Sequence, residues 1–273
     1  MTVYIPDGRK EAEAFGGIKK LCVSAHQDDI ELMSLAVIGN CRDGSFAGAV
    51  VTNGASSPRT GRFAGVTDEE MVLLRAEEQK KVAAAAGYGA LALLGYTSSE
   101  AKKDAREAVE RDIADFILAC APEEIYTHNP FDRHPTHVAV FCRVLGAIRS
   151  LPPEKRPKKL WGCEVWRSLD WLPESVRTVV DSEKGTGLAS SLLPMFESQV
   201  EGGKRYDEAY IGRQHANATF SESHSTDEFS CASNMLDMTL LVTNDRLDPS
   251  DFAYDIIDLF RRETKKTLDG MLK

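Results

Sequence analysis

Short apolar runs alternate with longer amphipathic runs along the first 165 residues, and this alternation limits the possible folds more than any other feature of the chain. The apolar runs predict strands at residues 20–25, 47–52, 91–95, 124–127 and 160–165. Helices are predicted between them, at residues 31–41, 67–87, 101–120 and from Pro135 onward. Because strands covered by helices on both faces form parallel sheets, we predict an α/β fold with a Rossmann-like, mostly parallel sheet flanked by helices.

Residues 171–273 follow a looser pattern. One more strand is predicted at residues 176–181, helical segments within 188–218, a loop at 219–233 and a final amphipathic helix from Asp248 to about residue 268. No internal repeat or low-complexity linker separates this region from the rest of the chain. We therefore predict a single domain over residues 1–273, with a core at about 18–170 and C-terminal elaborations at about 171–273.

A net charge of −9 limits the partners that the chain can bind. Nucleic-acid backbones require clustered Lys and Arg residues, so we expect no nucleic-acid partner. No stretch approaches the roughly 20 apolar residues that cross a bilayer, and residues 1–20 lack the apolar core of a signal peptide. We therefore expect a cytoplasmic protein with a small-molecule partner and no membrane contact. Whether the chain forms a homo-oligomer stays open.

The first predicted strand ends in the polar segment Ser24-Ala25-His26-Gln27-Asp28-Asp29. In a parallel sheet this segment lies at the carboxyl edge, where ligands bind. Two adjacent carboxylates repel each other and no Lys or Arg follows within ten residues, so a divalent metal is the simplest compensation. The alternative is a structural role, because Asp at the start of a helix can satisfy free backbone N–H groups.

A second polar cluster, His134-Pro135-Thr136-His137, follows the strand predicted at residues 124–127. Proline is favoured in the first helical turn, so the helix should begin at Pro135. His134 and His137 are three residues apart and therefore share one face of that helix. A purely structural role would be the better interpretation of a lone histidine. A His-Pro-x-His sequence at a strand-to-helix turn instead favours metal binding or catalysis.

Together the two clusters predict one catalytic metal site. His26, Asp29 and His137 can hold the metal and leave positions open for water and substrate, as catalytic sites do. We expect zinc, with ferrous iron as the alternative. The second carboxylate, Asp28, can then remain free as a general base. His134 is available to bind or protonate a tetrahedral intermediate.

The two motifs resemble those of the LmbE-like, or PIG-L, family of metal-dependent N-deacetylases, which read Ala-His-Pro-Asp-Asp and His-Pro-Asp-His. Here they stand as Ala25-His26-Gln27-Asp28-Asp29 and His134-Pro135-Thr136-His137. Weaker similarities are Thr52-Asn53-Gly54 and Arg75-Ala76-Glu77-Glu78. The resemblance is good over residues 18 to about 150 and much weaker beyond them.

The resemblance implies a role for individual residues. It implies that His26, Asp29 and His137 ligate the metal and that Asp28 is the general base. It also implies that His134 stabilises the oxyanion or protonates the leaving amine. Arg75 is similar to a family arginine near the substrate, although it could instead pair with an acidic residue of its own helix.

Beyond the region of resemblance, a few residues are candidates for substrate binding. His215 lies in a polar stretch from which it could reach the substrate, although an exposed histidine with no function is the alternative. Three tryptophans could stack on a sugar or anchor the core: Trp161, Trp166 and Trp171.

Two positions depart from the family pattern. Gln27 replaces a proline, which should change the stiffness of the loop more than the ligation. Thr136 replaces an aspartate that orients the first histidine of the second motif. Asp132 is our hypothesis for the carboxylate that takes over this orientation of His134.

The function predicted from these features is removal of an acyl group from the nitrogen of an N-acetylglucosamine-type amino-sugar or glycoconjugate. A second enzymatic interpretation is an amidase that acts on another acylated amine, such as a thiol conjugate, because the chemistry at the carbonyl is the same. A third is a metal- or sugar-binding protein without turnover, which Thr136 makes conceivable. The presence of Asp28, which ligation does not need, favours catalysis.

Overall fold

Residues 1–273 are all described by the computed structural model, in which eight strands form one sheet. The strands are β1 (Thr2–Tyr4), β2 (Lys20–Ser24), β3 (Phe46–Thr52), β4 (Ala90–Tyr96), β5 (Glu124–His128), β6 (Lys159–Cys163), β7 (Arg177–Asp181) and β8 (Ala232–Asp237). The α-helices are α1 (Glu11–Gly16), α2 (Asp29–Ile38), α3 (Asp68–Ala86), α4 (Arg106–Cys120), α5 (Pro135–Ser150), α6 (Glu183–Leu192), α7 (Glu197–Val200), α8 (Tyr206–Thr219), α9 (Thr239–Thr243) and α10 (Pro249–Met271).

Five strands form the parallel centre of the sheet, in the order β4-β3-β2-β5-β6. β1 joins one edge antiparallel to β4, and β8 and β7 extend the other edge, also antiparallel. The chain leaves β2 in one direction to form β3 and β4, then crosses to the other side of β2 to form β5 and β6. The carboxyl ends of β2 and β5 therefore flank the point where strand order reverses, which is where open α/β sheets bind ligands. This topology confirms the predicted fold class.

Burial on both faces explains why the central strands are rich in apolar residues. All seven residues of β3 are buried. In β2, Leu21 and Val23 belong to the apolar cluster that includes residues of α4 and α5, whereas Cys22 belongs to the cluster of α2 and α3. Successive residues of a strand point to opposite faces, so each face of the sheet has its own helical layer.

Two helix starts position loops at the carboxyl edge of the sheet. α3 begins after Thr67, whose hydroxyl accepts the Glu70 N–H while the Glu70 carboxylate accepts the Thr67 N–H. α5 begins at Pro135, as predicted, with His134 as its N-cap residue. These caps fix the residues at which the two helices begin, so the preceding loops are held close to the ends of the strands.

Parts of the chain differ from the prediction. The helix predicted from residue 101 begins at Arg106, after a π-helical turn at Glu100–Asp104. The loop predicted at residues 219–233 is too long, because β8 begins at Ala232, and the pattern did not predict β1. β8 reads Ala-Ser-Asn-Met-Leu-Asp, which lacks the β-branched alternation that identifies strands. Pairing with β6 and β7 determines its conformation instead.

The final helix, α10, follows Asp248, whose carboxylate accepts the Ser250 N–H. It ends at Met271, three residues beyond the predicted end, and its buried residue is Ile256. None of the helices combines the length and the hydrophobicity that a membrane span requires.

Candidate active site

Three predicted ligand atoms meet at the carboxyl ends of β2 and β5. The Nδ1 atom of His26 lies 3.1 Å from Oδ2 of Asp29 and 3.2 Å from Nε2 of His137. The third side of this triangle, from His137 Nε2 to Asp29 Oδ2, is also 3.2 Å. His26 follows β2, Asp29 begins α2 and His137 lies in the first turn of α5. The fold thus brings together side chains that are 111 residues apart in sequence.

The triangle of donor atoms has the size that a small divalent cation requires. Ligands about 2.0–2.1 Å from a tetrahedral zinc ion are about 3.3 Å from one another. The sides observed here are 3.1–3.2 Å, and two imidazole nitrogens with a carboxylate oxygen suit zinc or ferrous iron. Two overlapping groups, His26–His134–His137 and Asp29–His128–His137, also have donor atoms within 4.8 Å of one another. The residues present therefore fit a metal ion.

Two carboxylates face the ring of His137. Its Nε2 lies near Asp29, and its Nδ1 is 3.4 Å from Oδ1 of Asp132. Burial lowers the pKa of His137, but the two carboxylates outweigh burial and raise the pKa to about 9. The negative charge around this buried imidazole is the charge that a bound cation would neutralise.

Asp132 contacts a different histidine ring from the one that we hypothesised. Its Oδ1 accepts the backbone N–H of His134 at 2.8 Å and lies beside the ring of His137, while its Oδ2 accepts the N–H of Trp166 at 3.1 Å. These contacts with the His134 backbone and the His137 ring give no support to the hypothesis that Asp132 orients the ring of His134. A carboxylate behind a metal-ligating histidine fixes the orientation of that ring.

His134 is oriented by a backbone group instead. As the N-cap residue of α5, it accepts the N–H of Thr136 on Nδ1 at 3.3 Å. A neutral imidazole that accepts on Nδ1 carries its proton on Nε2. Burial, together with the neighbouring His137 and His26, lowers the pKa of His134 to about 4. The ring, which lines the cavity described below, can therefore donate a hydrogen bond while it stays neutral.

His128 is a site residue to which the sequence pattern gave no role. It ends β5, is fully buried and stacks on the ring of His137 with 3.9 Å between ring centroids. Its Nε2 accepts the N–H of Ala25 at 2.9 Å. Because that lone pair is already used, His128 fits a supporting role in which it holds the backbone just before His26. A histidine at the last position of an apolar central strand is the signal that could have indicated it.

Asp28 has an unusual backbone conformation at the start of α2. Its φ is 83°, a region that non-glycine residues rarely adopt. Its N–H donates to Oε1 of Gln79 at 3.0 Å, and its Oδ2 accepts from Arg75 at 2.8 Å. Burial raises the pKa of Asp28 to about 6, although Arg75 opposes the shift. Strained residues that are held by specific partners cluster at functional sites.

Arg75 is buried between protein groups. It is 1% exposed, and its guanidinium donates to Asp28, to Glu78 at 3.1 Å and to the carbonyl of Gln27. The contact between Arg75 and Glu78 is an ion pair within α3, which was the alternative to a substrate-binding role for Arg75 in the sequence analysis. Arg75 also borders the cavity, but its donors are largely engaged by Asp28, Glu78 and the carbonyl of Gln27.

Replacement of Arg75 by lysine is expected to lower the free energy of unfolding by about 1–3 kcal/mol, because an ammonium group cannot bridge both buried carboxylates. Urea unfolding measures the change. Arg62 is the matched control, since it also contacts two carboxylates but its side chain is 55% exposed. Arg62→Lys should cost clearly less, because exposed ion pairs contribute little to stability. Equal losses in the two variants would contradict the bridging role of Arg75.

A cavity of about 510 Å³ opens beside these residues. Its lining is mostly polar and consists of His26, Asp28, Asp29, Gly54, Ser56, Ser57, Pro58, Arg75, Ser98, Lys102, His134, Thr136, Trp166, Gln199, Lys204 and Tyr206. Trp161 and Trp171 lie elsewhere, against Glu124 and Phe131. The exposed His215 is also outside this lining and bonds to the carbonyl of Ser230, so its position gives no support to a substrate role.

Gly54 forms part of the cavity wall where the loop after β3 meets Gln27. Its φ is 78°, and a Cβ atom at this position would lie 2.6 Å from Oε1 of Gln27 and 3.1 Å from the side chain of Arg75. The side chain of Gln27 is held there because its amide donates to the carbonyl of Thr52 at 3.1 Å. A glycine is therefore required both by the backbone conformation and by the close approach.

Replacement of Gly54 by alanine is expected to destabilise the protein by more than the roughly 1–2 kcal/mol that a positive φ alone costs. The control is Gly95→Ala, because Gly95 has a φ of 80° but no atom within 4 Å of the point where a Cβ would lie. Thermal or urea unfolding of both variants separates the two effects. If Gly54→Ala is no less stable than Gly95→Ala, the close packing of this loop has no energetic importance.

Residues 21–148 match a family model described as PIG-L, GlcNAc-PI de-N-acetylase. The matched segment contains both polar motifs and the three donor residues of the triangle. No curated protein matches the chain.

Solved structures with the same fold include enzymes of more than one kind. N,N'-diacetylchitobiose deacetylase from Pyrococcus horikoshii has a TM-score of 0.65 and 16% identity over 83% of this chain and 85% of its own. GalB, a 4-carboxy-2-hydroxymuconate hydratase from Pseudomonas putida, has a TM-score of 0.59 and 16% identity over 81% of this chain and 96% of its own. The A40926 pseudoaglycone deacetylase Dbv21 has a TM-score of 0.56 and 18% identity over 80% of this chain and 96% of its own. At these identities the likeness establishes the fold, and the reaction must be argued from the site.

Proposed function

Because residues 21–148 belong to the PIG-L, or LmbE-like, family, we propose that this chain is a metal-dependent hydrolase that removes an acyl group from the nitrogen of an acylated amino-sugar. The observation that carries the proposal is the compact triangle of His26, Asp29 and His137 beside a buried Asp28 and a hydrogen-bond donor on His134. A metal-binding protein without turnover would need the triangle alone. The additional base and donor favour catalysis.

In this proposal, His26, Asp29 and His137 hold a divalent cation, with zinc preferred and ferrous iron as the alternative. When bound, such a cation supplies Lewis acidity, which polarises a carbonyl and lowers the pKa of water. Asp132 and His128 keep the ring of His137 and the backbone before His26 in place.

Asp28 is proposed to accept the proton of the attacking water. Its carboxylate borders the cavity and is held by Arg75, while Gln79 accepts the backbone N–H of the same residue. The Nε2–H of His134 is proposed to donate to the amide oxygen as negative charge develops there, which lowers the barrier by electrostatic stabilisation. Asp28 can then return its proton to the leaving amine, so that the amide bond breaks to give a carboxylic acid and a free amine.

The lining of the cavity supports a sugar as the substrate. Hydroxyl, ammonium and amide groups from Ser56, Ser57, Ser98, Lys102 and Gln199 can bond to sugar hydroxyls. Trp166 is 38% exposed and can cover an apolar sugar face. This polar lining favours an amino-sugar over a more apolar acylated amine.

The proposal is tested by assaying release of acetate from a panel of N-acetylated compounds by protein of known metal content. The panel contains N-acetylated sugars and, for comparison, N-acetylated non-sugar amines that include a thiol conjugate. We expect acetate from the sugars, loss of release after chelation, and recovery when zinc or ferrous iron is added without oxygen. Release from the non-sugar amines alone would exclude an amino-sugar substrate, and no release from any compound would exclude deacetylation.

A further inference from the structure

The sheet order gives the cavity two chemically different ends. The loops after β3 and β4 lie on one side of β2 and β5, and the segment after β6 lies on the other. The β3–β4 side contributes small polar groups and one ammonium: Gly54, Ser56, Ser57, Pro58, Ser98 and Lys102. The β6 side contributes the aromatic rings of Trp166 and Tyr206, 6.4 Å apart between centroids, and the ammonium of Lys204, which lies 4.7 Å from the centroid of the Trp166 ring. The metal-ligand triangle, at the ends of β2 and β5, lies between these two ends.

The aromatic end borders a second, smaller cavity of about 200 Å³. Trp166 and Tyr206 line both cavities, so these two rings are a shared wall. The rest of the smaller cavity is almost entirely apolar and is lined by Leu32, Val165, Ala209, Tyr210 and Arg213. Arg213 donates to the carbonyl of Val165 at 2.6 Å, so its charge is directed to a backbone group.

The smaller cavity is also close to the groups that we propose act on the amide. Leu32 lies in α2, three residues after Asp29. The ring of Trp166 is 6.3 Å from the ring of His134 between centroids. The smaller cavity therefore borders residues that neighbour the triangle.

We propose that the smaller cavity is a subsite for the acyl chain, so that the preferred substrate carries an N-acyl group longer than acetyl. This proposal rests on the proposed function and adds to it the class of acyl group. An amide links two unlike parts, a sugar with many hydroxyls and an acyl chain with none. The polar end matches the sugar and the apolar cavity matches the chain, because burial of apolar surface against apolar walls is favourable.

The volume of the smaller cavity sets the length of the acyl chain that it can hold. Groups of about the size of water occupy roughly 30 Å³ each, so a cavity of about 200 Å³ has room for some six carbon atoms. Each buried methylene contributes about 0.8 kcal/mol, which is about a fourfold gain in the specificity constant. Chains from butyryl to hexanoyl should therefore be preferred over acetyl.

The test compares N-acetyl-, N-butyryl- and N-hexanoylglucosamine with the metal-loaded enzyme. All three release glucosamine, so one assay of the free amine measures kcat/KM for each. We expect kcat/KM to rise at least tenfold from acetyl to hexanoyl. A flat or falling series, with acetyl hydrolysed, would overturn the subsite proposal and leave the proposed function intact.

Ala209→Phe is designed to fill the smaller cavity from its exposed side. Ala209 lines this cavity and does not line the larger one. The variant should lose the gain for hexanoyl over acetyl, measured as the ratio of the two kcat/KM values. The control is Glu208→Phe, which adds the same ring to an adjacent, exposed position of α8 outside both linings. Retention of the hexanoyl gain in Ala209→Phe would overturn the proposal.

Two further arms identify which part of the substrate occupies the cavity. A hexyl glycoside of N-acetylglucosamine should show no gain over the methyl glycoside. If it does, and Ala209→Phe abolishes that gain, the cavity binds the aglycone and the acyl assignment is wrong. If no compound is hydrolysed, the proposed function fails. Calorimetric measurement of binding affinity then tests the subsite by itself. N-hexanoylglucosamine should bind at least tenfold more tightly than the acetyl compound, and equal affinities would overturn the subsite.

Discussion

Replacement of Asp28 by asparagine is expected to lower kcat by about 10²–10⁴-fold, the range that loss of a general base costs. The amide has nearly the same shape as the carboxylate, but it cannot take a proton from water. Metal content should stay close to that of the wild type, because Asp28 is not one of the three atoms of the triangle. Asparagine also tolerates the positive φ at this position, so the fold should persist.

Three measurements decide this prediction: turnover, the metal-to-protein ratio and the midpoint of thermal unfolding. Asp115→Asn is the matched control, since Asp115 is exposed on α4 and outside the cavity. It should match the wild type in all three. An Asp28→Asn enzyme that keeps its turnover would show that another group takes the proton. One that loses its metal would show that Asp28 is a ligand.

Replacement of His137 by alanine is expected to abolish stable metal binding and, with it, turnover. Loss of an outer partner of a ligand already costs about 10–100-fold in metal affinity, so loss of the ligand itself should cost more than about 100-fold. Asp29→Ala should behave in the same way, because its Oδ2 is 3.2 Å from the same nitrogen. Competition with a chelator of known affinity measures both variants.

Asp132→Asn gives the intermediate case in this series. Its carboxylate lies behind the ring of His137, so the variant should bind metal about 10–100-fold more weakly and still bind it. His215→Ala is the control, because His215 is an exposed histidine outside the cavity and should leave affinity unchanged. If His137→Ala binds metal as tightly as the control does, the triangle is not the metal site.

The parallel centre of the sheet was predictable because its strands are buried on both faces. Burial favours apolar runs, and such runs are visible in β2 and β3 without knowledge of their neighbours. β8 was not predictable in this way. Its residues bond to distant groups: the Ser233 hydroxyl donates to Oε1 of Gln214 at 2.6 Å, and the backbone N–H of Asn234 donates to Glu164 at 3.2 Å. Such partners are absent from any local pattern.

The candidate site shows the same division. A parallel sheet places every loop that follows a strand at one edge, so His26, Asp29 and His137 could be expected to meet once their strands were recognised. The partner of Asp132 could not be assigned. The choice between the rings of His134 and His137 depends on how the carboxylate turns at the helix start, and a difference of one helical turn decides it.

The sequence by itself determined the parallel α/β architecture and the residue types at its carboxyl edge, because apolar periodicity and strand-end positions are local properties of the chain. Only the tertiary structure decided which atoms come within 3.2 Å of one another, that Arg75 holds Asp28, and that Trp166 rather than Trp161 or Trp171 lines the cavity. These outcomes depend on the packing of segments far apart in sequence. Side-chain contacts are short-ranged, so shifts of an ångström or two change partners, and no local pattern specifies positions that finely.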